Sequence, residues 1–230
     1  MLLPLLRARG ETKVDLLVLS HRDTDHVGGA ASVLAGTQVQ ALSSSLTDDH
    51  RLRAGPVPHR RCDAGQSWTW DGVTFDVLHP LPQDHARATK ANALSCVVRV
   101  QGTDESSLLT GDIEAAQEAA LVQRSGPGLK SDVLMVPHHG SRTSSSPAFI
   151  DAVAPRIAVV QAAYRSRFGH PAPDIVARYT ARGITVVRSD SCGAWTLAAS
   201  GATACERLTS ARYWHHRDFP EPAAAGVLGP

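Results

Sequence analysis

The stretch LSHRDTDHVGG, Leu19–Gly29, places His21, Asp23, Asp25 and His26 within six residues. It follows a short apolar run, DLLVLS, that reads as a buried strand, and it precedes a glycine pair that opens a small-residue helix over about 30–35. Four side chains able to bind a cation, mounted at the end of one strand, constrain the fold. That strand has to sit in a rigid sheet, and the remainder of any site has to come from other strand ends. A loop there turns alternate side chains to one side, so His21 and Asp23 can share one ion while Asp25 and His26 point to a neighbouring one. Imidazole and carboxylate without thiolate suit zinc, manganese or iron. The plainer alternative is a polar strand-end loop in which Asp25 caps a helix.

Apolar runs alternate with turn signals along the rest of the chain. TQVQAL reads as the next strand, and the irregular stretch 43–61, rich in Arg and His, as surface loop. SWTWDGVTFDVLHP has two alternating runs around Asp71-Gly72, a hairpin signal. The polar stretch 83–92 reads as loop. SCVVRVQ and SSLLTGD form a second antiparallel pair, followed by a helix over about 113–124 that SGPG stops. DVLMVPHHGS is a strand ending in polar residues, and Ser146-Pro147 starts a helix. IAVVQAA is a strand, PDIVARYTARG a helix closed by Gly183, and ITVVRSD and AWTLAAS complete the strands. Hairpins mixed with strand–helix alternation predict an α/β (α+β layered) domain over 1–217. The Pro- and Ala-rich tail, 218–230, reads as disordered.

Composition narrows the function classes. A chain of 230 residues, 43% hydrophobic, can bury a substantial core. Its net charge of +1 excludes a global attraction to nucleic acid, so any such contact depends on local patches. No apolar run approaches the ~20 residues that span a bilayer, and MLLPLL lacks the length and the basic flank of a signal peptide. By sequence the chain reads as soluble. The cysteines form no CxxC pair, and Cys192 and Cys205 are candidates for a bridge. Eleven histidines are the more telling count, because several fall where strands end.

Two further clusters share that placement. TGD ends on Asp112 after an apolar strand; alone, such an aspartate is commonly a turn or cap residue. VPHHGS sets His138 and His139 after a buried strand, able to offer one imidazole to a metal and the other to substrate. His170 lies in a Gly-Pro turn, and His215-His216 near the end read as solvated. No GxSxG elbow, P-loop or GxGxxG fingerprint is present. The inference from residues alone is a hydrolytic metal centre, in which a metal lowers the pKa of bound water and polarises a phosphoryl or carbonyl oxygen.

HRDTDHVGG resembles the HxHxDH signature of metallo-β-lactamase-fold hydrolases, with Asp23 where the second histidine usually stands. Together with NALS, LLTGDIE, VPHHGS, SSSPAF and YRSRFGHP, in that order, it resembles the C-terminal hydrolase-like domain of the ComEC family, the membrane channel that imports DNA in bacterial competence. The likeness runs from about Leu3 to Leu197. It implies an αββα metallo-β-lactamase-like sandwich with one or two divalent ions, zinc or manganese, at the edge of the two sheets. It implies His21, Asp23, Asp25, His26, Asp112 and His138 as metal ligands, with Asp112 bridging. Asn92 stands near a further histidine ligand of many such enzymes. The site using His21 and Asp23 is then the weaker, and that of Asp25, His26, Asp112 and His138 the stronger. Asp25, His139 and His170 are expected to take part in the chemistry. Asn92, Ser95, His139, Ser141 and His170 are expected to face the substrate.

The resemblance also implies DNA, as a single strand, for a partner. Water activated by the metal would attack a phosphodiester in line, His139 or His170 would contact the phosphate or protonate the leaving oxygen, and Arg51, Arg53, Arg60, Arg61, Arg165 and Arg167 would track the backbone. It places the domain at the outer face of the bacterial inner membrane. Against the family pattern, only one clear strand precedes the metal motif and no channel segment is present. The chain therefore reads as a fragment lacking the first N-terminal strands, with an exposed sheet edge and a channel domain encoded separately or lost. Two other readings remain open: a hydrolase of a small ester or lactam, and a non-catalytic accessory domain that binds DNA or its channel.

Overall fold

The computed structural model describes residues 2–210. Its strands are, in chain order, β1 (Lys13–Val14), β2 (Leu17–Leu19), β3 (Gln38–Val39), β4 (Leu42–Ser44), β5 (His59–Arg61), β6 (Ser67–Trp70), β7 (Val73–His79), β8 (Val97–Gln101), β9 (Ser106–Leu109), β10 (Val133–Met135), β11 (Ile157–Val160), β12 (Thr185–Arg188), β13 (Trp195–Leu197) and β14 (Thr203–Cys205). A seven-stranded mixed sheet has the order β12-β11-β10-β9-β8-β7-β6. Strands β6 to β9 are joined antiparallel and β9 to β12 parallel. Three crossover helices, Ala115–Ser125, Pro147–Val153 and Pro173–Thr180, connect the parallel strands. A second sheet, β2-β4-β5, is parallel throughout and continues into the β1-β3 pair.

The period-2 pattern of the strands explains the layers. In β10 and β11, Leu134, Val136, Ala158 and Val160 face the crossover helices, where they pack with Leu121, Phe149, Ile150, Ile175 and Tyr179. Full burial of Leu134 and Phe149 contributes about 1.5–3 kcal/mol each. Val133, Met135, Ile157 and Val159 face the other way, onto Trp195 and Leu197. The helix Ala30–Gly36 covers the small sheet through Ala30, Leu19, Leu42 and Leu46. Helices, seven-stranded sheet, three-stranded sheet and helices again make the αββα sandwich.

The two sheets meet at one end, where the Cys96 amide, at the start of β8, bonds the Ser20 carbonyl, at the end of β2, at 2.9 Å. Away from that end they part, leaving a trough of about 360 Å³ between Leu16 and Val18 on one side and Trp68, Trp70, Phe75 and Leu109 on the other. Strand β2 is an edge of its sheet, and Val18, Leu109 and Trp70 stay 38%, 41% and 44% exposed. No helix among the described residues is long and apolar enough to cross a membrane.

Several elements depart from the sequence expectation. The stretch 43–61 is not surface loop throughout: Ser43–Leu46 are buried, and His59–Arg61 pair in parallel with Leu42–Ser44. Its serines hide the strand, because they carry no apolar alternation yet are small enough to pack, and the Ser44 hydroxyl meets His59 Nε2 at 2.8 Å. Within 83–92 lies a one-turn helix, Asp84–Arg87. Unexpected elements are the helix Leu2–Ala8 and β14, which pairs with β13. The Asp71-Gly72 hairpin turn is present, both residues at positive φ. The Cys192–Cys205 bridge is present, and a second joins Cys62 to Cys96. His215, His216 and the tail 218–230 lie outside the described residues.

Candidate metal centre

Three strands end at one place. Strand β2 leads into Ser20 and His21, β9 into the Thr110-Gly111-Asp112 turn, and β10 into the turn Pro137–Gly140. Glycine is required in the second turn. Gly111 has φ +54°, and a Cβ there would come within 2.9 Å of Ser95 Cβ and 3.1 Å of Ser20 Cβ. The close approach presses Asp112 into the interior, where it is 4% exposed. The short helix Thr24–Val27 carries Asp25 and His26, and Asp23, at its N-cap position, makes no capping hydrogen bond, so its carboxylate is free for other use.

Asp112 is the hub. Its Oδ1 lies 3.2 Å from His26 Nε2 and 3.5 Å from His139 Nε2, and its Oδ2 lies 3.9 Å from both His21 Nε2 and His138 Nε2. Asp25 Oδ2 closes the first side at 3.2 Å from His139 Nε2 and 3.6 Å from His26 Nε2, and Asp23 Oδ2 stands 3.5 Å from His21 Nε2 on the second. Asp25, His26, Asp112 and His139 bring one donor atom each to within 4.8 Å of one another.

All four imidazoles are held in one sense. Nδ1 of His139 donates to the Gln161 carbonyl at 2.8 Å, which fixes its tautomer, since a carbonyl only accepts. Nδ1 of His26 meets the Ser20 hydroxyl at 2.9 Å, Nδ1 of His21 meets Ser95 at 3.2 Å, and Nδ1 of His138 meets Thr143 at 3.0 Å. Every Nε2 is thereby turned toward Asp112. The Nε2 atoms of His21 and His26 are buried and, among the described residues, have no hydrogen-bond partner. A buried ring nitrogen left without a bond, as His21 Nε2 is at 3.9 Å from Asp112, is costly unless a cation lies against it. The donor set, imidazoles and carboxylates, suits a divalent ion.

The metallo-beta-lactamase superfamily profile matches residues 1–163. The chain belongs to that superfamily. Among relatives, the chain is 35% identical over 222 residues to "Competence protein ComA" of Neisseria gonorrhoeae, 95% of this chain and 30% of that protein. It is 32% identical over 201 residues to "ComE operon protein 3" of Bacillus subtilis, 84% of this chain and 25% of that protein. The chain thus spans less than a third of the length of these relatives. A metallo hydrolase of Ignicoccus hospitalis, Igni18, shares the fold at TM-score 0.50 and 14% identity, over 83% of this chain and 78% of that one. The diiron β-hydroxylase CmlA of Streptomyces venezuelae shares it at TM-score 0.51 and 14% identity, over 77% of this chain and 44% of that one.

On this metallo-β-lactamase fold the histidine pair is distributed differently from the sequence reading. His139, expected toward substrate, stands with Asp25 and His26, whereas His138, expected in that set, faces the other oxygen of Asp112 with His21. Both residues adopt left-handed backbone, φ 49° and 54°, an unfavourable pair that splays the rings to 64°. Asn92 Nδ2 lies 3.5 Å from His138 Nε2, beside the second group. Ser95 does not face solvent: it is fully buried and accepts the Asp112 amide at 3.0 Å. The Ser141 hydroxyl is 3.1 Å from that of Thr143, inside its own turn. His170 flanks His138 at a ring distance of 5.9 Å. Arg53 and Arg61 are paired with Asp48 and Asp63, and Arg60 lies over Trp68. Ser20, Thr143 and Gln161 were not singled out by sequence. The Gln161 contact is a backbone carbonyl and leaves no signature in residue type.

The electrostatics separate the imidazoles. Burial holds His21 below its ordinary pKa, with His26 adding to the effect against the pull of Asp112. Burial acts to lower His26 too, but Asp112, Asp25 and Asp23 outweigh it and leave it raised. Burial would raise Asp112, which His26, His139 and His21 together hold low. A raised His26 pKa favours the protonated ring, so cation uptake there competes with that proton. Apparent metal affinity should therefore rise with pH through neutrality, by up to about tenfold per pH unit. Calorimetry in two buffers of different ionisation enthalpy reads the released proton; an affinity indifferent to pH, with no release, contradicts it.

Proposed function

We propose that this centre hydrolyses phosphodiesters of DNA, with zinc or manganese as its ion, as part of a DNA-uptake protein of the ComEC type. The observation that carries the reading is the convergence of Asp25, His26, Asp112 and His139 from three separate strand ends. The substrate class is supported by the competence proteins among the relatives and by Asp23 in place of a histidine in the first motif. A divalent ion bound here supplies an acidified water and a Lewis acid for the phosphoryl oxygen.

The chain's own residues have distinct parts. Asp112 shares its two oxygens between the two groups of donors, and Asp25, 62% exposed, is the carboxylate nearest solvent on the first. With His139 turned to the metal group, His170 is, of the pair His139 and His170, the imidazole left to contact the phosphate or protonate the leaving oxygen. Burial, with His138 and His139 nearby, holds its pKa below the ordinary value. A partner channel and a location at the outer face of the inner membrane belong to the same reading.

The purified chain should cleave a DNA substrate with manganese or zinc, and Asp25→Ala should lower the rate by at least about 100-fold while removing the tighter-bound ion. Tight metal binding that survives Asp25→Ala, or a wild-type protein with no cleavage, rejects the proposal. A second reading, hydrolysis of a small ester or lactam, is favoured by the apolar trough, whose lining includes His26, Asp112 and His139. Turnover of such substrates without DNA cleavage would select it.

A further inference from the structure

The loop between β11 and the helix Pro173–Thr180 stands over the His138 side of the centre. Phe168 is 68% exposed, the most exposed aromatic side chain among the described residues, and Tyr164 is 43% exposed. A phenyl ring left in water forgoes about 1.5–3 kcal/mol of burial, so its position calls for a partner. The Arg167 guanidinium lies 4.7 Å from the centre of the Phe168 ring, and that of Arg165 lies 5.3 Å from the Tyr164 ring. Neither arginine has an ion-pair partner among the described residues, whereas Arg142, Arg156, Arg182 and Arg188 are each matched with an acid. Neither charge is neutralised by an acid among the described residues.

The rings also lead inward. Phe168 lies nearly parallel to His170, at 22° and 6.0 Å, and His170 stands 5.9 Å from His138, which reaches Asp112. An aromatic face at the surface is thus connected by successive rings to the metal centre.

We propose that Tyr164–His170 is a stacking platform for unpaired bases of a single-stranded nucleic acid, with Arg165 and Arg167 taking the adjoining phosphates. Every base has a π-face, so stacking on Phe168 is indifferent to sequence. A duplex keeps its bases stacked on each other and cannot offer one. A base that replaces the guanidinium over Phe168 frees Arg167 for a phosphate, so the two contacts reinforce each other. The inference rests on the phosphodiester reading of the centre, which makes the ligand a nucleic acid.

The test is fluorescence anisotropy of the full chain, loaded with manganese, against a fluorescein-labelled phosphorothioate oligothymidylate that resists cleavage. Phe168→Ala should weaken binding about 5- to 100-fold, and Phe168→Trp should retain it. Arg167→Gln should reduce the salt slope by about 0.7. A blunt duplex should bind more weakly and be indifferent to Phe168→Ala. Failure of the unaltered protein to bind the oligothymidylate, binding that Phe168→Ala leaves unchanged, or an equal loss on duplex overturns the platform. Hydrolysis of bis(p-nitrophenyl) phosphate reports on the metal centre separately. Its absence alongside Phe168-dependent binding brings down the phosphodiester reading and leaves the platform standing; hydrolysis alongside Phe168-independent binding does the reverse.

Discussion

Replacing Asp112 by asparagine should strip the protein of tightly bound divalent metal. Among the described residues, Asp112 is the one carboxylate whose two oxygens face both groups of imidazoles, His26 and His139 on one side and His21 and His138 on the other. An amide keeps the shape but loses the charge and turns one acceptor into a donor. Three consequences coincide: the shared ligand is lost, an N–H points at imidazole nitrogens, and the attraction that holds the His26 pKa up is gone. Loss of affinity should be at least about 100-fold, beyond the 10–100-fold typical of removing a supporting hydrogen bond. Metal analysis after dialysis decides it, with thermal denaturation to show that the chain still folds. Retention of stoichiometric metal by Asp112→Asn would remove the centre as drawn.

The largest effect on stability should come from Glu118, far from any solvent. It projects from the helix Ala115–Ser125, is fully buried, and accepts the backbone amides of Ser145 and Ser146, the latter at 2.8 Å. Ser145 has φ +59°, an uncommon backbone for a residue with a Cβ, and is further held by the Tyr179 hydroxyl, which donates to its Oγ at 2.9 Å. Glu118→Ala would leave two buried amides unpaired, at about 1–3 kcal/mol each. In a chain of this size that lowers Tm by roughly 4–24 °C. The damage should reach the metal centre, because the neighbouring Ser144 donates to the Pro137 carbonyl at 2.8 Å, one residue before His138. Metal affinity should fall together with Tm, and Glu118→Gln, which retains one acceptor, should fall between. A Tm within 2 °C of wild type, about the shift of a 0.5–1 kcal/mol change, would show that the loop is held by other means.

The elements legible in the sequence were those with a periodic apolar signal. β7, β8, β10 and β11 alternate or run apolar because one or both of their faces are buried, and the Asp71-Gly72 turn announces itself by residue type. The buried serines 43–45 were not legible, because small polar residues pack in a parallel sheet without any period to read, and β5, His59–Arg61, carries no apolar side chain at all. Ser95 illustrates the same limit at the site. The family resemblance implies Ser95 as a substrate contact, but its hydroxyl is spent inside the fold on the Asp112 amide.

What the sequence determined by itself is the stock of donors and their mounting: His21, Asp23, Asp25, His26, Asp112, His138 and His139 all follow apolar runs, and imidazole with carboxylate already names the class of ion. Only the tertiary structure decided which imidazole meets which oxygen of Asp112. That choice turns on two successive left-handed residues, on a glycine pressed against Ser95 and Ser20, and on the Gln161 carbonyl that orients His139. Directions of this kind are set by backbone torsion and by groups distant along the chain, neither of which is written in the identity of the residue itself.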